Sequence, residues 1–240
     1  MKLDILVFAS HPDDAELGAG ATIAKCVAQG KKVGIIDLTR GELGTRGTAD
    51  IREKESEAAS KILGIQARVN MEFRDGFFVN DEVHQMALVR MIRKYRPDVV
   101  LCNAVEDRHI DHARGSKLVS DSCFLSGLSK IDSKLEGDDQ WQDPWRPSRV
   151  YHYIQWKNLE PDFVVDVSEF IEKKVEAIKA YASQFYDPNS DEPETPISSK
   201  NFIDSIIYRS RDLGRLSGVQ HAEGFTVERY PVVNDLDDLN

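Results

Sequence analysis

The 240-residue sequence predicts an α/β fold of Rossmann-like, doubly wound type: a mostly parallel sheet covered by helices on both faces. Three observations predict it. Short apolar runs alternate with helical stretches through the first 125 residues. The connections between them are short. The runs also lack the in-out alternation of half-exposed strands, as strands buried on both faces should.

Leu3–Ala9 is the first strand, and Leu17–Gln29 a helix stopped at Gly30. Lys32–Leu38 is a second strand, Ala49–Leu63 a helix ending at Gly64, and Arg68–Phe73 a third strand. Glu82–Tyr95 is helical up to Pro97, Asp98–Asn103 is a fourth strand, and Asp111–Leu125 a further helix. These units give the strand order 3-2-1-4, with later strands added. Residues 126–148 are polar and acidic, carry Trp141 and Trp145, and read as a loop. Arg149–Gln155 and Phe163–Val167 are two more strands, and Ser168 is the expected cap of a helix running to about Phe185. Residues 187–199 form a loop rich in proline and acid, Asn201–Leu216 a last helix, and Gly218–Phe225 a closing loop; the acidic tail 234–240 should fray. The sequence shows no internal repeat or linker, so one domain over 1–240 is expected.

Hydrophobic residues make up 41% and charged residues 30% of the chain, with a formal net charge of −10. An acidic chain has nothing global to attract phosphate, which argues against nucleic acid or an anionic membrane as partner. Cys26, Cys102 and Cys123 are odd in number and widely spaced, as reduced thiols in a cytoplasmic protein would be. The N-terminus enters a strand directly, without a secretory pattern, and no apolar run has the length of a membrane span.

In the order 3-2-1-4, the switch point lies between strands 1 and 4, and ligands bind at the carboxyl ends of the strands there. Two segments fall on that point. His11-Pro12-Asp13-Asp14 follows the first strand, and Glu106-Asp107-Arg108-His109-Ile110-Asp111-His112 follows the fourth; together they hold half of the six histidines. Two imidazoles and a carboxylate make an open catalytic metal site. His11 and Asp14 can converge on one ion, with His112 completing the set from across the crevice. Taken singly, either segment reads equally well as a helix cap with polar loop histidines. Asp13, beside the ligands, can accept a proton from water attacking an amide carbonyl. A protonated His109 could stabilise the oxyanion. Asp111 could hold a ligand histidine, cap the next helix, or do both.

These motifs resemble the LmbE-like (PIG-L) family of zinc-dependent N-deacetylases. The resemblance rests on His11-Pro12-Asp13-Asp14-Ala15-Glu16, Thr39-Arg40-Gly41-Glu42, Arg52 with Glu55, the His109/Asp111/His112 segment and His221-Ala222-Glu223-Gly224-Phe225, and so covers nearly the whole chain. It is greatest to the branch that deacetylates N-acetylglucosaminyl malate in bacillithiol biosynthesis. It implies zinc on His11, Asp14 and His112, a general base at Asp13 and an oxyanion-stabilising histidine at His109; two histidines and one carboxylate also suit iron(II). It also implies a small amino-sugar substrate and a homo-oligomer, commonly a hexamer. Ile110 stands where many relatives have proline. Arg52 resembles a substrate-contacting position, suited to a malate carboxylate or sugar hydroxyls, although a solvated helix arginine is the plain alternative. Glu42 would bind hydroxyls or orient Arg52. Arg108 faces the crevice or a surface ion pair. His221 supports the site or packs as a polar loop residue, while His84 and His152 read as structural. Residues 126–148 and 186–200 have the character of specificity-setting lids.

Three other readings compete. A bacillithiol S-conjugate amidase would use the same chemistry. A metal-binding sensor would have no use for Asp13. A nucleotide-binding module would exploit Gly18-x-Gly20, but Ile23 stands at the third glycine of that fingerprint.

Overall fold

The structure is a computed structural model that describes residues 1–236 apart from 136, 138 and 189. The tail expected to fray lies largely outside the described residues. In chain order the elements are β1 (Ile5–Ala9), α1 (Asp14–Ala28), β2 (Val33–Thr39), α2 (Ala49–Leu63), β3 (Ala67–Phe73), α3 (Glu82–Tyr95), β4 (Val99–Cys102), α4 (Ile110–Ser126), β5 (Arg149–Tyr153), β6 (Phe163–Asp166), α5 (Ile171–Lys179), α6 (Lys200–Ser217) and β7 (Ala222–Val227). They build a seven-stranded sheet in the order β3-β2-β1-β4-β5-β7-β6. The five strands from β3 to β5 run parallel, and β7 pairs antiparallel with both β5 and β6. The mostly parallel α/β class and the 3-2-1-4 order are both present. No helix among the described residues is long and apolar enough to cross a membrane.

β1 is buried along its length and feeds both faces of the sheet. Ile5, Val7 and Ala9 pack in one core with Ile23, Ile35, Leu63 and Tyr181, while Leu6 and Phe8 pack in the other with Ile36, Leu88, Val100 and Leu118. Fully burying side chains of this size contributes roughly 1.5–3 kcal/mol each, so β1 is the fixed frame on which the following residues are aimed.

Three expectations require correction. Residues 222–227 form strand β7 rather than part of a closing loop. The glutamate and glycine in this stretch mimic loop composition, but both are buried for specific reasons. Glu223 receives the Lys174 ammonium at 2.6 Å and the Ala21 and Thr22 amides. Gly224 lies so close to Pro161, Ile154 and Leu213 that a Cβ would stand 3.1–3.2 Å from them.

The second concerns Ser168, which does not cap α5. The helix begins after Phe170 without a side-chain cap and ends at Lys179, short of the expected Phe185. The Ser168 hydroxyl instead donates to Asp166 Oδ1 and accepts the His221 amide.

The third is α1, which begins at Asp14 and is kinked at Ala19 (φ −138°, ψ 15°) between Gly18 and Gly20. A Cβ at Gly18 would fall 2.1 Å from the Tyr153 ring, and one at Gly20 would fall 3.2 Å from Lys174. The Gly-x-Gly pattern therefore serves packing, and Glu223 satisfies the amides that the kink frees.

Candidate active site

The loops after β1, β2, β3 and β4 meet at the carboxyl edge of the sheet. Ser10, the last residue before the histidine segment, fixes that junction. Its amide and hydroxyl both reach Asn103 Oδ1, at 2.8 and 3.0 Å, and its carbonyl accepts the Thr39 amide and hydroxyl. β1 is thereby tied to its neighbours on both sides, and the two histidine segments face each other across the crevice.

His11, Asp14 and His112 converge. Asp14 Oδ2 lies 3.4 Å from His11 Nδ1, and Asp14 Oδ1 lies 3.2 Å from His112 Nε2. Neutral amides hold the carboxylate: Asn103 Nδ2 donates to Oδ2 at 3.0 Å and Gln155 Nε2 to Oδ1 at 2.9 Å. The second nitrogen of each imidazole meets a further acid. His11 Nε2 stands 3.0 Å from Asp75 Oδ1 and 3.4 Å from Asp111 Oδ2, while His112 Nδ1 stands 2.6 Å from Asp107 Oδ2. Fixing the outer nitrogen to a carboxylate sets the tautomer and aims the inner one.

His109 completes the group, its ring centroid 4.6 Å from that of His11 and 5.2 Å from that of His112. Nitrogens of His11, His109 and His112 can gather within 4.8 Å of one another, as can donor atoms of His11, Asp75 and Asp111. His109 Nδ1 accepts the Asp111 amide as the cap of α4, which leaves the ring proton on Nε2.

Asp13 faces this group from a strained backbone, φ 117° and ψ −26°, which costs an L residue of order 1–3 kcal/mol. It occupies the N-cap position of α1 but makes no side-chain cap bond. Its carboxylate instead takes Arg52 Nη2 at 2.8 Å, and the same guanidinium reaches the Pro12 and Gly41 carbonyls. Gly41, at φ 64°, leaves that room; a Cβ there would lie 2.0 Å from Arg52 Nη1.

Electrostatics sort the groups. Burial pushes the Asp13 carboxyl up to about 7, even though Arg52 pulls the other way. Burial would also raise Asp14, but His112 and His11 outweigh it and hold that carboxyl well below its ordinary value. For His112, burial favours the neutral ring, yet Asp14 and Asp107 prevail and raise its pKa to about 9. His109 is lowered, by burial and then by the charges of His11 and His112. That lowering favours the neutral ring over the expected protonated one, and the neutral ring can donate through Nε2. The acids draw positive charge onto His11 and His112, and the donor set is two imidazoles and a carboxylate. That chemistry fits a divalent cation such as zinc or iron(II).

The group opens into a cavity of about 700 Å³. Arg108 lines it, stacked at 4.5 Å over the Trp156 ring, and Arg52 reaches its floor. Glu42 does not line it and does not orient Arg52; its carboxylate accepts the Asp75 amide at 2.8 Å. His221 also lies outside, its Nδ1 paired with Ser210 Oγ at 2.9 Å. His84 and His152 are outside as well, held by Asp81 and by Glu228. Of the two expected lids, residues 195–197 form part of the wall, whereas no described residue of 126–148 does. That segment returns along the opposite edge of the sheet, where Trp145 Nε1 donates to the Pro97 carbonyl.

The sequence reading missed Asp75, Asn103, Gln155 and Arg209. The first three follow β3, β4 and β5 on the carboxyl edge, so the rule that located the histidines also points to them. Arg209 sits on α6, and nothing in the local pattern marks it.

The sequence profile of the PIG-L family, described as GlcNAc-PI de-N-acetylase, matches residues 6–123. The conserved protein TT1542 from Thermus thermophilus superposes with a TM-score of 0.84 at 37% identity, covering 98% of both chains. Diacetylchitobiose deacetylase of Thermococcus kodakarensis is 28% identical over 193 residues, 75% of this chain and 70% of its own. The Bacillus anthracis protein named "Probable N-acetyl-alpha-D-glucosaminyl L-malate deacetylase 2" is 26% identical over 203 residues, 75% of this chain and 81% of its own. Fold and site together define a hydrolase of the deacetylase class. The chain belongs to the PIG-L (LmbE-like) family.

Proposed function

We propose that this chain removes the acetyl group of N-acetyl-glucosaminyl L-malate, releasing acetate and the free amine, as a cytoplasmic homo-oligomer. The observation that carries an amide hydrolase is Asp13: a buried acid raised to about 7, aimed beside a cluster of two imidazoles and a carboxylate. The malate aglycone is supported by the motif resemblance and by the Bacillus anthracis relative.

In this reading His11, Asp14 and His112 hold zinc or iron(II). When bound, the ion supplies Lewis-acid polarisation of the acetyl carbonyl and lowers the pKa of water. Asp13 accepts the proton of the attacking water and later delivers it to the departing amine nitrogen. Arg52 fixes the Asp13 carboxylate at the angle this transfer needs. The His109 Nε2–H donates to the oxygen on which negative charge develops. Asp75 and Asp111 steady His11, Asp107 steadies His112, and Asn103 with Gln155 steadies Asp14.

The test is acetate and amine release by the zinc- and iron-loaded protein from a panel: N-acetylglucosaminyl malate, N,N′-diacetylchitobiose, N-acetylglucosamine and a bacillithiol S-conjugate. Fastest turnover of the malate compound is expected. Preference for the S-conjugate would make the chain an amidase, and no release from any member would end the reading.

A further inference from the structure

Most ionic groups that line or underlie the cavity carry an opposite partner. Arg52 has Asp13, and Arg68 beneath has Glu16 and Asp37. Arg108 and Arg209 do not: among the described residues, no carboxylate oxygen lies within 4.0 Å of either guanidinium, and both line the cavity. They flank one residue. Arg108 stacks on the Trp156 ring, and Arg209 Nη2 donates to the Trp156 carbonyl at 2.7 Å. The Arg209 Nε goes to Asn158 Oδ1, another neutral acceptor, and its Nη1 has no hydrogen-bond partner among the described residues. Phe202 stacks on Trp156 at 5.6 Å and braces this wall.

Asp107, the acid next to Arg108 in the chain, is already engaged. Its Oδ2 meets His112 Nδ1 and the Trp156 amide, and its Oδ1 accepts the amides of Arg108 and Lys157. Arg46, on another part of the wall, likewise ends on a hydroxyl, Ser190 Oγ at 2.6 Å. A chain with 41 acidic and 31 basic residues has ample carboxylates to pair its arginines. Arg209 is partly buried and faces only neutral acceptors, which is costly unless an anion arrives with the ligand; Arg108 is exposed.

We propose that Arg108 and Arg209, on either side of Trp156, form an anion subsite that selects amino-sugar substrates carrying a carboxylate on the aglycone, and that Arg52 plays no part in this selection. The proposal rests on the deacetylase reading and deepens it, since neutral disaccharides would leave both guanidinium groups unmatched. Arg108 offers an exposed charge on the cavity wall, stacked on Trp156. Arg209, tied by two hydrogen bonds, offers a fixed one with Nη1 free to donate. Two charge-assisted hydrogen bonds of this kind discriminate well because the neutral ligand forfeits them and leaves the partly buried Arg209 without a charged partner.

The experiment compares kcat and KM of the metal-loaded full chain for N-acetylglucosaminyl malate, its dimethyl ester and the corresponding glycerol phosphate glycoside, in wild type, R108M, R209M and R209K. Calorimetric binding of the deacetylated malate product is measured alongside. The expected wild-type preference for diacid over ester is about 10- to 100-fold in kcat/KM. R209M and R108M should collapse that preference through KM, with R209K keeping part of it, and product affinity should fall in step. The phosphate glycoside tells a carboxylate site from a general anion site; if it outpaces the diacid, the carboxylate assignment fails. Equal kcat/KM for diacid and ester in wild type, or equal proportional losses on both in the variants, overturns the subsite. If no compound releases acetate, the deacetylase reading fails instead, and the product-binding comparison between wild type and R209M still decides the subsite.

Discussion

His11 Nε2 lies 3.0 Å from Asp75 Oδ1, and this contact joins the loops that follow the first three strands. Asp75 Oδ2 accepts the Leu43 amide, and the Asp75 amide in turn donates to Glu42 Oε1. The β2 loop therefore clamps the acid that orients a proposed metal ligand. Burial opposes the charge on Asp75, but the His11 bond prevails and holds its pKa at about 2, so it is an acceptor at every working pH. Replacing Asp75 with asparagine keeps the shape and removes the charge. Metal affinity, read by competition with a chelator, should fall about 10- to 100-fold, as for other acids behind a ligand histidine. Unchanged affinity would reduce Asp75 to a loop tether.

Asp13 should set the acid limb of the pH–rate profile. Its carboxyl stands at about 7, and a divalent ion bound beside it would add positive charge that favours the carboxylate. The limb in kcat/KM is therefore expected at or below about 7, with activity rising as pH increases through it. Asp13→Asn should lower kcat by about 100- to 10,000-fold while metal content stays the same. A variant that keeps its rate, or loses its metal, would assign Asp13 a different task.

How much of this was legible in the sequence follows from how local each signal is. His11 and Asp14 could be read because they closely follow one strongly apolar strand, and His112 because it opens the helix after another, and strand order alone brings those two loops together. Asp75 obeys the same rule but follows β3, whose burial is only intermediate and whose pattern is weaker. The closing strand was hidden because Glu223 and Gly224 are loop residues by composition. Glu223 is satisfied by Lys174, Ala21 and Thr22, some 50 to 200 positions away, and Gly224 packs against Ile154 and Pro161 on other segments. The pairing of Arg52 with Asp13 could not be read from the sequence, because the two lie 39 residues apart on different elements.

His152 supplies a stability test away from the proposed ligands. It is buried between Cys102, Ser116 and Glu228, with Nε2 at 3.2 Å from Glu228 Oε1. Burial disfavours its charge, but Cys102 and Glu228 outweigh this and raise its pKa to about 10, above the ordinary 6.5. A raised histidine stabilises fully below its unfolded value, and the contribution disappears as pH climbs toward its folded value. The urea midpoint should therefore fall between about pH 6.5 and 10, and His152→Gln should flatten that slope. A wild-type midpoint that holds or rises across the window would contradict the charged imidazole.

Gly18 decides whether the Gly-x-Gly turn is a phosphate cradle or a packing device. A phosphate-binding glycine leaves open space for ligand at the helix start. Here the space is filled: the Tyr153 ring would stand 2.1 Å from an added Cβ, and the Tyr153 hydroxyl is fixed by donation to the Phe8 carbonyl. The ring cannot swing aside without breaking that buried hydrogen bond. Gly18→Ala should therefore cost about 1–3 kcal/mol through overpacking, seen as a lower urea midpoint. Gly30→Ala is the comparison, since nothing lies within 4 Å of its added Cβ and only its φ of +82° resists the change. It should cost about 1 kcal/mol. Equal losses at the two positions would mean that Tyr153 yields. Saturable binding of a dinucleotide by the wild type, lost in Gly18→Ala, would restore the nucleotide reading.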